Sequence, residues 1–377
     1  MRYLAIGAHP DDLEIRCFGT LAKLKQQGHS ISVCNIANGS LGHVYIPPAE
    51  LKKIRNAEAA AAAAIIGADH YAFVFLHFAY CHNLLFLHSS SFLKNGRIHM
   101  RVGILINLDC NITEKIEKMV NMGFSSGQIS VWDMKLYTAE TADKIKEVCR
   151  RLDFTITALW CGWSGPKVWG YPQMYTTLGL VPSYMREKRM NELLLGAEFA
   201  RMLGLKDIIT HVGYLPDNPM DRTHIEVVQV LTYICNILKQ YGQSFLFETG
   251  EELPLTLVQV INEIGTGNVG VNFDPANLLI NARANPCDAL DLLAPYVMGV
   301  HAKDAVYPVG TNPKGKEVAI GEGKANFPEI IKKLKAAGYD GDLTIEREIR
   351  ESEQRQKDIL YGKVYLESII RGPENEI

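Results

Sequence analysis

The chain has 377 residues, 47% of them apolar and 21% charged, a composition that supplies ample material for a packed core. It is long for one ordinary domain and short for three, so two unequal parts are expected. The net charge of −3, and the 30 Lys and Arg against 36 Asp and Glu of residues 100–377, leave no basic field of the kind that grips nucleic acid non-specifically.

The opening MRYLAIGAHPDD places Asp11 and Asp12 where a secretory signal would continue its apolar core, so no such signal is read here. Residues 1–72 read as the start of an α/β domain: strand YLAIGA, helix GTLAKLKQQG, strand SISVCNIA and a helix through PAELKKIRNAEAAAAAAIIGA. The His-Pro-Asp-Asp run sets His9, Asp11 and Asp12 at a strand-to-helix turn, a suitable place for zinc and a general base. From His70 to Leu108 there is no Asp or Glu, and residues 73–99 show no clean period, so they are expected to be an irregular apolar linker. A membrane span needs about 20 mainly apolar residues; Tyr71–Leu93 has the length, but His77, His82, Asn83 and His88 count against insertion. The eight cysteines are scattered without a CxxC pair, which fits reduced thiols in a cytoplasmic protein.

From Met100 onward strand-like and helix-like runs alternate. The strands are RVGILINL, SGQISVWD, FTITALW, KDIITHVG, SFLFE, NVGVNFD, VMGVHAKD and DLTIERE, and a helical segment follows each. Eight such units in about 270 residues predict an α/β fold closed as a (β/α)8 TIM barrel over 100–377, preceded by the partial Rossmann-like fragment. Ser183 and Thr223 are the expected helix caps, and Gly204, Gly242 and Gly338 the expected helix stops.

The runs SFLFE, VGVNFD, VMGVH and DLTIE end on or carry Glu248, Asp274, His301 and Glu346. Each alone is more often a cap, a salt-bridge partner or a satisfied core histidine. Together they close strands five to eight, where a barrel gathers its chemistry at one mouth. Three carboxylates and an imidazole form a hard-leaning ligand set for Mn²⁺ or Mg²⁺, with Co²⁺ or Zn²⁺ as alternatives. Such a site suits proton abstraction beside a carbonyl, with Glu248 and Glu346 assigned as the catalytic pair. His211 and Lys303 are expected to bind substrate, against plain buried-His and salt-bridge readings. Trp160, Trp163 and Trp169, placed in the loop after strand three, either wall a sugar ring or pack the loop. Gly321, Gly323 and Lys324 either cradle a phosphate or form a turn, and His224 is read as surface structure.

Through FETGEE, NFDPAN, VHAKDA, GEGKANFPEI and TIERE, residues 100–370 resemble the sugar phosphate isomerase/epimerase family of xylose isomerase-like barrels. The resemblance implies Glu248, Asp274, His301 and Glu346 as metal ligands and Glu248 with Glu346 as the acid/base pair of a sugar or polyol isomerase or epimerase working through an enediolate. Several family epimerases carry His three residues after the metal-binding Asp. Asn277 stands there instead; it can hydrogen-bond a sugar hydroxyl but cannot shuttle a proton near neutral pH, which counts against a ketose 3-epimerase, and a keto-sugar or inosose-type lyase or dehydratase using the same metal and a single base is the alternative. GAHPDDLEI, GTLAKLKQQGH, ANGSLG and the alanine-rich helix resemble the LmbE/PIG-L zinc-dependent N-acetylglucosamine deacetylases over residues 1–72. That resemblance implies His9 and Asp12 as zinc ligands and Asp11 as base. The pattern needs a later His that the likeness does not reach, so the fragment is expected to be an inactive vestige. A multi-zinc endonuclease on the same barrel is disfavoured, since residues 100–377 offer only His211, His224 and His301. The expected partner is a small sugar or polyol, without nucleic acid or membrane; a homo-oligomer and a non-enzymatic binding barrel are both compatible with the sequence.

Overall fold

A computed structural model describes residues 2–7, 13, 17–35, 46, 48–72 and 100–372. The chain divides into two compact units, Met1–Asn95 and Gly96–Ile377. In the first, strands β1 (Arg2–Gly7), β2 (Ser30–Asn35) and β3 (Asp69–Ala72) form a parallel sheet in that order, with helices α1 (Phe18–Gln26) and α2 (Pro48–Ile65) as crossovers. Leu21, Ile31, Val33 and Ala63 form its core. His70 Nε2 lies 3.0 Å from Asn35 Oδ1. His9, Asp11 and Asp12, and the expected linker 73–99, lie outside the described residues.

The second unit is a closed barrel of eight parallel strands: β4 (Val102–Asn107), β5 (Ser126–Val131), β6 (Thr155–Cys161), β7 (Asp207–Thr210), β8 (Ser244–Glu248), β9 (Val269–Phe273), β10 (Val297–Ala302) and β13 (Leu343–Ile345). Pairing of β9 with β10 and of β13 with both β10 and β4 completes the circle. The main outer helices are α3 (Ile112–Asn121), α4 (Ala139–Leu152), α6 (Ser183–Met202), α7 (Arg222–Gln240), α8 (Pro254–Ile264), α10 (Pro286–Leu293), α11 (Phe327–Ala336) and α12 (Glu353–Arg371). Short helices α5 (Met174–Thr177) and α9 (Pro275–Ile280) and a hairpin of β11 (Asp304–Val306) with β12 (Lys316–Val318) decorate the connections. Among the described residues no helix is long and apolar enough to cross a membrane.

The alternation of side chains along each strand sorts the interior from the exterior. Phe245, Phe247, Val271, Phe273, Val300, Ala302, Leu343 and Ile345 face the helices in the main core. The intervening positions face inward, where Ala158, Trp160, Ile209 and Leu246 form a separate apolar plug. Glu248, Asp274, His301 and Glu346 share the inward parity, so the register that buries the phenylalanines aims these four at the barrel axis.

Several local expectations are corrected. The α7 cap is Asp221, which accepts from Thr223 N at 2.7 Å, because the aspartate oxygen reaches the second amide of the turn. Ser183 is the first helical residue of α6; the cap position is Pro182, without a side-chain bond. The three glycines after helices do take positive φ, +74°, +66° and +81° at 204, 242 and 338. His224 is buried, 1% exposed, with Nδ1 2.7 Å from Pro216 O and Nε2 2.8 Å from Glu263 Oε2. Trp160 lies within β6, facing inward, not in the loop beyond it. The amides of Gly321 and Gly323 both donate to Asp304 Oδ2 at 3.0 Å, so that turn wraps a carboxylate of its own and offers no phosphate cradle.

Candidate metal centre

Glu248, Asp274, His301 and Glu346 each offer one ligand atom, and the four atoms lie within 4.8 Å of one another. Glu248 ends β8, Asp274 follows β9, His301 lies near the end of β10 and Glu346 follows β13, so four adjacent strands deliver them to one mouth. His301 turns Nδ1 towards the carboxylates, 3.0 Å from Glu248 Oε1 and 3.3 Å from Glu346 Oε2. Asp274 uses Oδ1 to cap α9, accepting from Asn277 N at 2.9 Å. Its Oδ2 is buried without a hydrogen-bond partner, 3.7 Å from Lys303 Nζ. A buried carboxylate oxygen with no donor is costly, and a divalent cation would satisfy it; the donor set therefore fits a hard metal ion.

The electrostatics follow from burial and crowding. Burial drives the Asp274 carboxyl well above the usual carboxylate range, with Lys303 pulling the other way. Burial works against ionisation of Glu346 as well, but Lys303 and His301 outweigh it and hold this carboxyl low. Glu248 is likewise depressed, burial being overcome by His211 and His301.

The remaining predicted residues surround this group. Asn277 donates through Nδ2 to Glu248 Oε1 at 3.2 Å and accepts from Lys303 Nζ at 3.3 Å, so both ends of its amide are engaged by charged neighbours. Lys303, 2% exposed, also lies 3.1 Å from Glu346 Oε2 and 2.6 Å from Glu348 Oε2. His211 sits with Nε2 3.6 Å from Glu248 Oε2 and Nδ1 2.9 Å from Glu251 Oε2. Burial opposes its charge, yet Glu248 and Glu251 push the imidazole up to about 10. Trp132, Trp160 and Trp163 form an aromatic cluster, and the Trp169 ring stands 5.3 Å from that of His211. Buried Arg189 pins this loop by donating to the carbonyls of Ser164, Pro166, Thr177 and Gly179.

Three contributors are absent from the sequence reading, and a fourth, Trp160, has a different place and role from the one expected. Trp160 Nε1 donates to Glu248 Oε2, and the inward parity of β6 was the available signal. Gln128 Oε1 lies 2.9 Å from His301 Nε2. Glu252, 3% exposed with neither carboxylate oxygen hydrogen-bonded, is pushed up to about 8 by burial and by Glu251. Lys314, from the connection between β11 and β12, donates to Trp169 O at 2.8 Å, tying two mouth loops together. A cavity of about 640 Å³ reaches Glu346 and is lined in part by Leu105, Ser130, Trp132 and Glu348.

The chain belongs to the xylose isomerase-like TIM barrel family, whose model matches residues 116–365. A second family model, GlcNAc-PI de-N-acetylase, matches residues 4–159, past residue 72; the structure nevertheless builds residues 102–159 into the barrel. Among solved structures, a xylose isomerase domain protein from Planctomyces limnophilus is 29% identical, with a TM-score of 0.68 over 72% of this chain and 97% of that one. A D-tagatose 3-epimerase-like protein shares the fold at 22% identity and a TM-score of 0.57, covering 72% of this chain and 97% of that one. So does a Mycobacterium smegmatis barrel in complex with magnesium, at 14% identity and 0.54, covering 69% of this chain and 88% of that one. The chain spans 57% and 34% of the lengths of two uncharacterized proteins it matches, from Methanocaldococcus jannaschii (29% identical over 43% of this chain) and Escherichia coli (31% over 29%).

Proposed function

We propose that the barrel is a divalent-metal-dependent sugar or polyol isomerase or epimerase that moves a carbon-bound proton through an enediolate. The observation that carries this reading is the convergence of three carboxylates and one imidazole within 4.8 Å, with Asp274 Oδ2 left without a donor. Glu248, Asp274, His301 and Glu346 would hold the cation, Mn²⁺ or Mg²⁺ by donor hardness with Co²⁺ or Zn²⁺ as alternatives. When bound, the ion supplies Lewis-acid polarisation of the substrate carbonyl and hydroxyl oxygens.

The chain's own residues do the rest. One of Glu248 and Glu346 takes the proton from the carbon beside the carbonyl, the C–H electron pair forms the carbon–carbon double bond, and the carbonyl π pair becomes the enediolate oxygen charge. Epimerisation requires the other carboxyl to enter the cycle protonated and return a proton to the same carbon from the opposite face; isomerisation places the abstracted proton on the neighbouring carbon while the hydroxyl proton of the first carbon passes to the former carbonyl oxygen, so no oxidant is consumed. Trp160 and Asn277 orient Glu248 by hydrogen bonds, and Lys303 orients Glu346 and adds a positive charge beside the developing oxyanion. His211 and the Trp169 ring would border the sugar. Asn277 favours a second reading at the same site: it holds no transferable proton, and elimination next to a keto group needs only one base. No deacetylase activity is proposed for residues 1–72.

The test is solvent-deuterium incorporation into a panel of ketoses and keto-polyols with Mn²⁺ or Mg²⁺, followed by product analysis. Label at the carbon next to the carbonyl with an isomeric product supports isomerase or epimerase chemistry, and loss of water supports the lyase. Absence of label and of product across the panel would contradict both.

A further inference from the structure

We infer that Gln128 is a positioning residue: its side-chain oxygen fixes the proton of His301 on Nε2 and so presents Nδ1, with its lone pair, to the cation. This rests on the metal reading above and concerns a residue outside the four ligands. Gln128 lies on β5, 3% exposed, in a strand whose neighbouring Ile129 and Val131 face the outer core. Strand order separates β5 from β10 by β4 and β13, so the contact of Oε1 with His301 Nε2, 2.9 Å, crosses the barrel interior.

The need for such a partner follows from what surrounds the ring. A neutral imidazole carries one proton, and only the unprotonated nitrogen can ligate. On the Nδ1 side stand Glu248 Oε1 at 3.0 Å and Glu346 Oε2 at 3.3 Å, two acceptors that would draw the proton there and spoil the ligand. On the Nε2 side the carboxamide oxygen of Gln128 is an acceptor and nothing else, so a hydrogen bond to it requires Nε2–H. Among the described residues Gln128 is the one hydrogen-bond partner of Nε2. A glutamine keeps that side of the ring uncharged, where another carboxylate would add a further buried negative charge to an already acidic cavity. An outer partner on the second ring nitrogen commonly changes metal affinity by about 10–100-fold.

The test uses the full chain and Mn²⁺ alone, titrated calorimetrically into wild type, Gln128→Met and Gln128→Glu. Met keeps the length and apolar bulk but removes the acceptor, whereas Glu restores an acceptor at the same reach. The expected result is an affinity about 10–100-fold weaker in Q128M and recovered to within a few-fold of wild type in Q128E. In ¹⁵N-histidine-labelled wild type loaded with Mg²⁺, the His301 resonances should report a proton on Nε2. Q128M binding like wild type, or Q128E binding as weakly as Q128M, overturns the inference while leaving the metal reading standing. Wild type that takes up no Mn²⁺ overturns both. Should Q128M fail to fold, the labelled wild type still decides, because a proton on Nδ1 contradicts the assignment.

Discussion

The same eight strands end in two different kinds of polar chemistry. At the base, Arg101 donates twice to Asp342, at 2.9 and 3.3 Å, and Tyr339 Oη donates to Asp342 O at 2.8 Å, all before strands β4 and β13 begin, while in the first residues of β6 Thr157 Oγ1 donates to Gly127 O at 3.2 Å. Each of those groups has a partner of matching capacity. At the mouth, three carboxylates, an imidazole and an ammonium are packed into a region where Asp274 Oδ2 and both oxygens of Glu252 have no hydrogen-bond partner. Like charges brought together in a dry site cost stability, and proteins keep that arrangement where a ligand or a reaction uses it. The base reads as the end that holds the barrel together, the mouth as the end that does chemistry.

The largest effect is expected from Glu248→Gln, which should lower solvent-deuterium exchange by about 10²–10⁴-fold; because burial is outweighed by His211 and His301, which favour its ionised form, some stability should go with the charge. Unchanged exchange would remove Glu248 from the proton-transfer pair. Asp274→Asn should weaken Mn²⁺ binding by about tenfold or more, measured calorimetrically. Its melting temperature should hold, because an asparagine oxygen still caps α9 in place of Oδ1.

At the base the effects should appear in stability alone. Burial pushes the Asp207 carboxyl up to about 6, against Lys206 and Ser244. Its folded value is raised above the unfolded value of about 3.9, so the unfolded chain releases this proton first. The contribution is therefore fully present below about pH 4, declines as pH rises towards about 6 and is absent above that, by roughly 1–2 kcal/mol after solvent screening. Asp207→Asn should flatten this stretch of the denaturation-versus-pH curve without altering Mn²⁺ affinity; an unchanged slope refutes the assignment. Arg101→Ala, which takes the half-exposed guanidinium away from the buried Asp342 carboxylate, should cost about 1–3 kcal/mol in urea titration and leave metal binding untouched.

The barrel was legible because its strands announce themselves: apolar runs such as SFLFE and VGVNFD recur between amphipathic segments, and all eight appear where the alternation puts them. Glu248, Asp274, His301 and Glu346 were legible for the same reason, since strand-end placement and inward parity are both properties of the local sequence. What stayed hidden depends on contacts between distant strands. Nothing in the SGQISV run says that Gln128 will meet a histidine 173 residues later. Trp160 donating to Glu248 and Lys314 reaching Trp169 O depend likewise on barrel closure. His224 was misread because a helix's first turn is usually wet, whereas here the connection through Pro216 and the neighbouring Glu263 enclose the ring. Asp304 gathering the amides of Ala305, Gly321, Gly323 and Ala325 explains why a glycine-rich run that could hold an anion holds the chain's own carboxylate.

Cation binding by the mouth is proposed to run through its four strand-end residues, Glu248, Asp274, His301 and Glu346. It is tested most directly by elemental analysis and calorimetric titration of the full chain beside Glu248→Gln with Glu346→Gln. About one equivalent of Mn²⁺ or Mg²⁺ is expected per wild-type chain, lost in the double variant with the fold retained. Trace metal in wild type after titration, or the same uptake in both proteins, would contradict it.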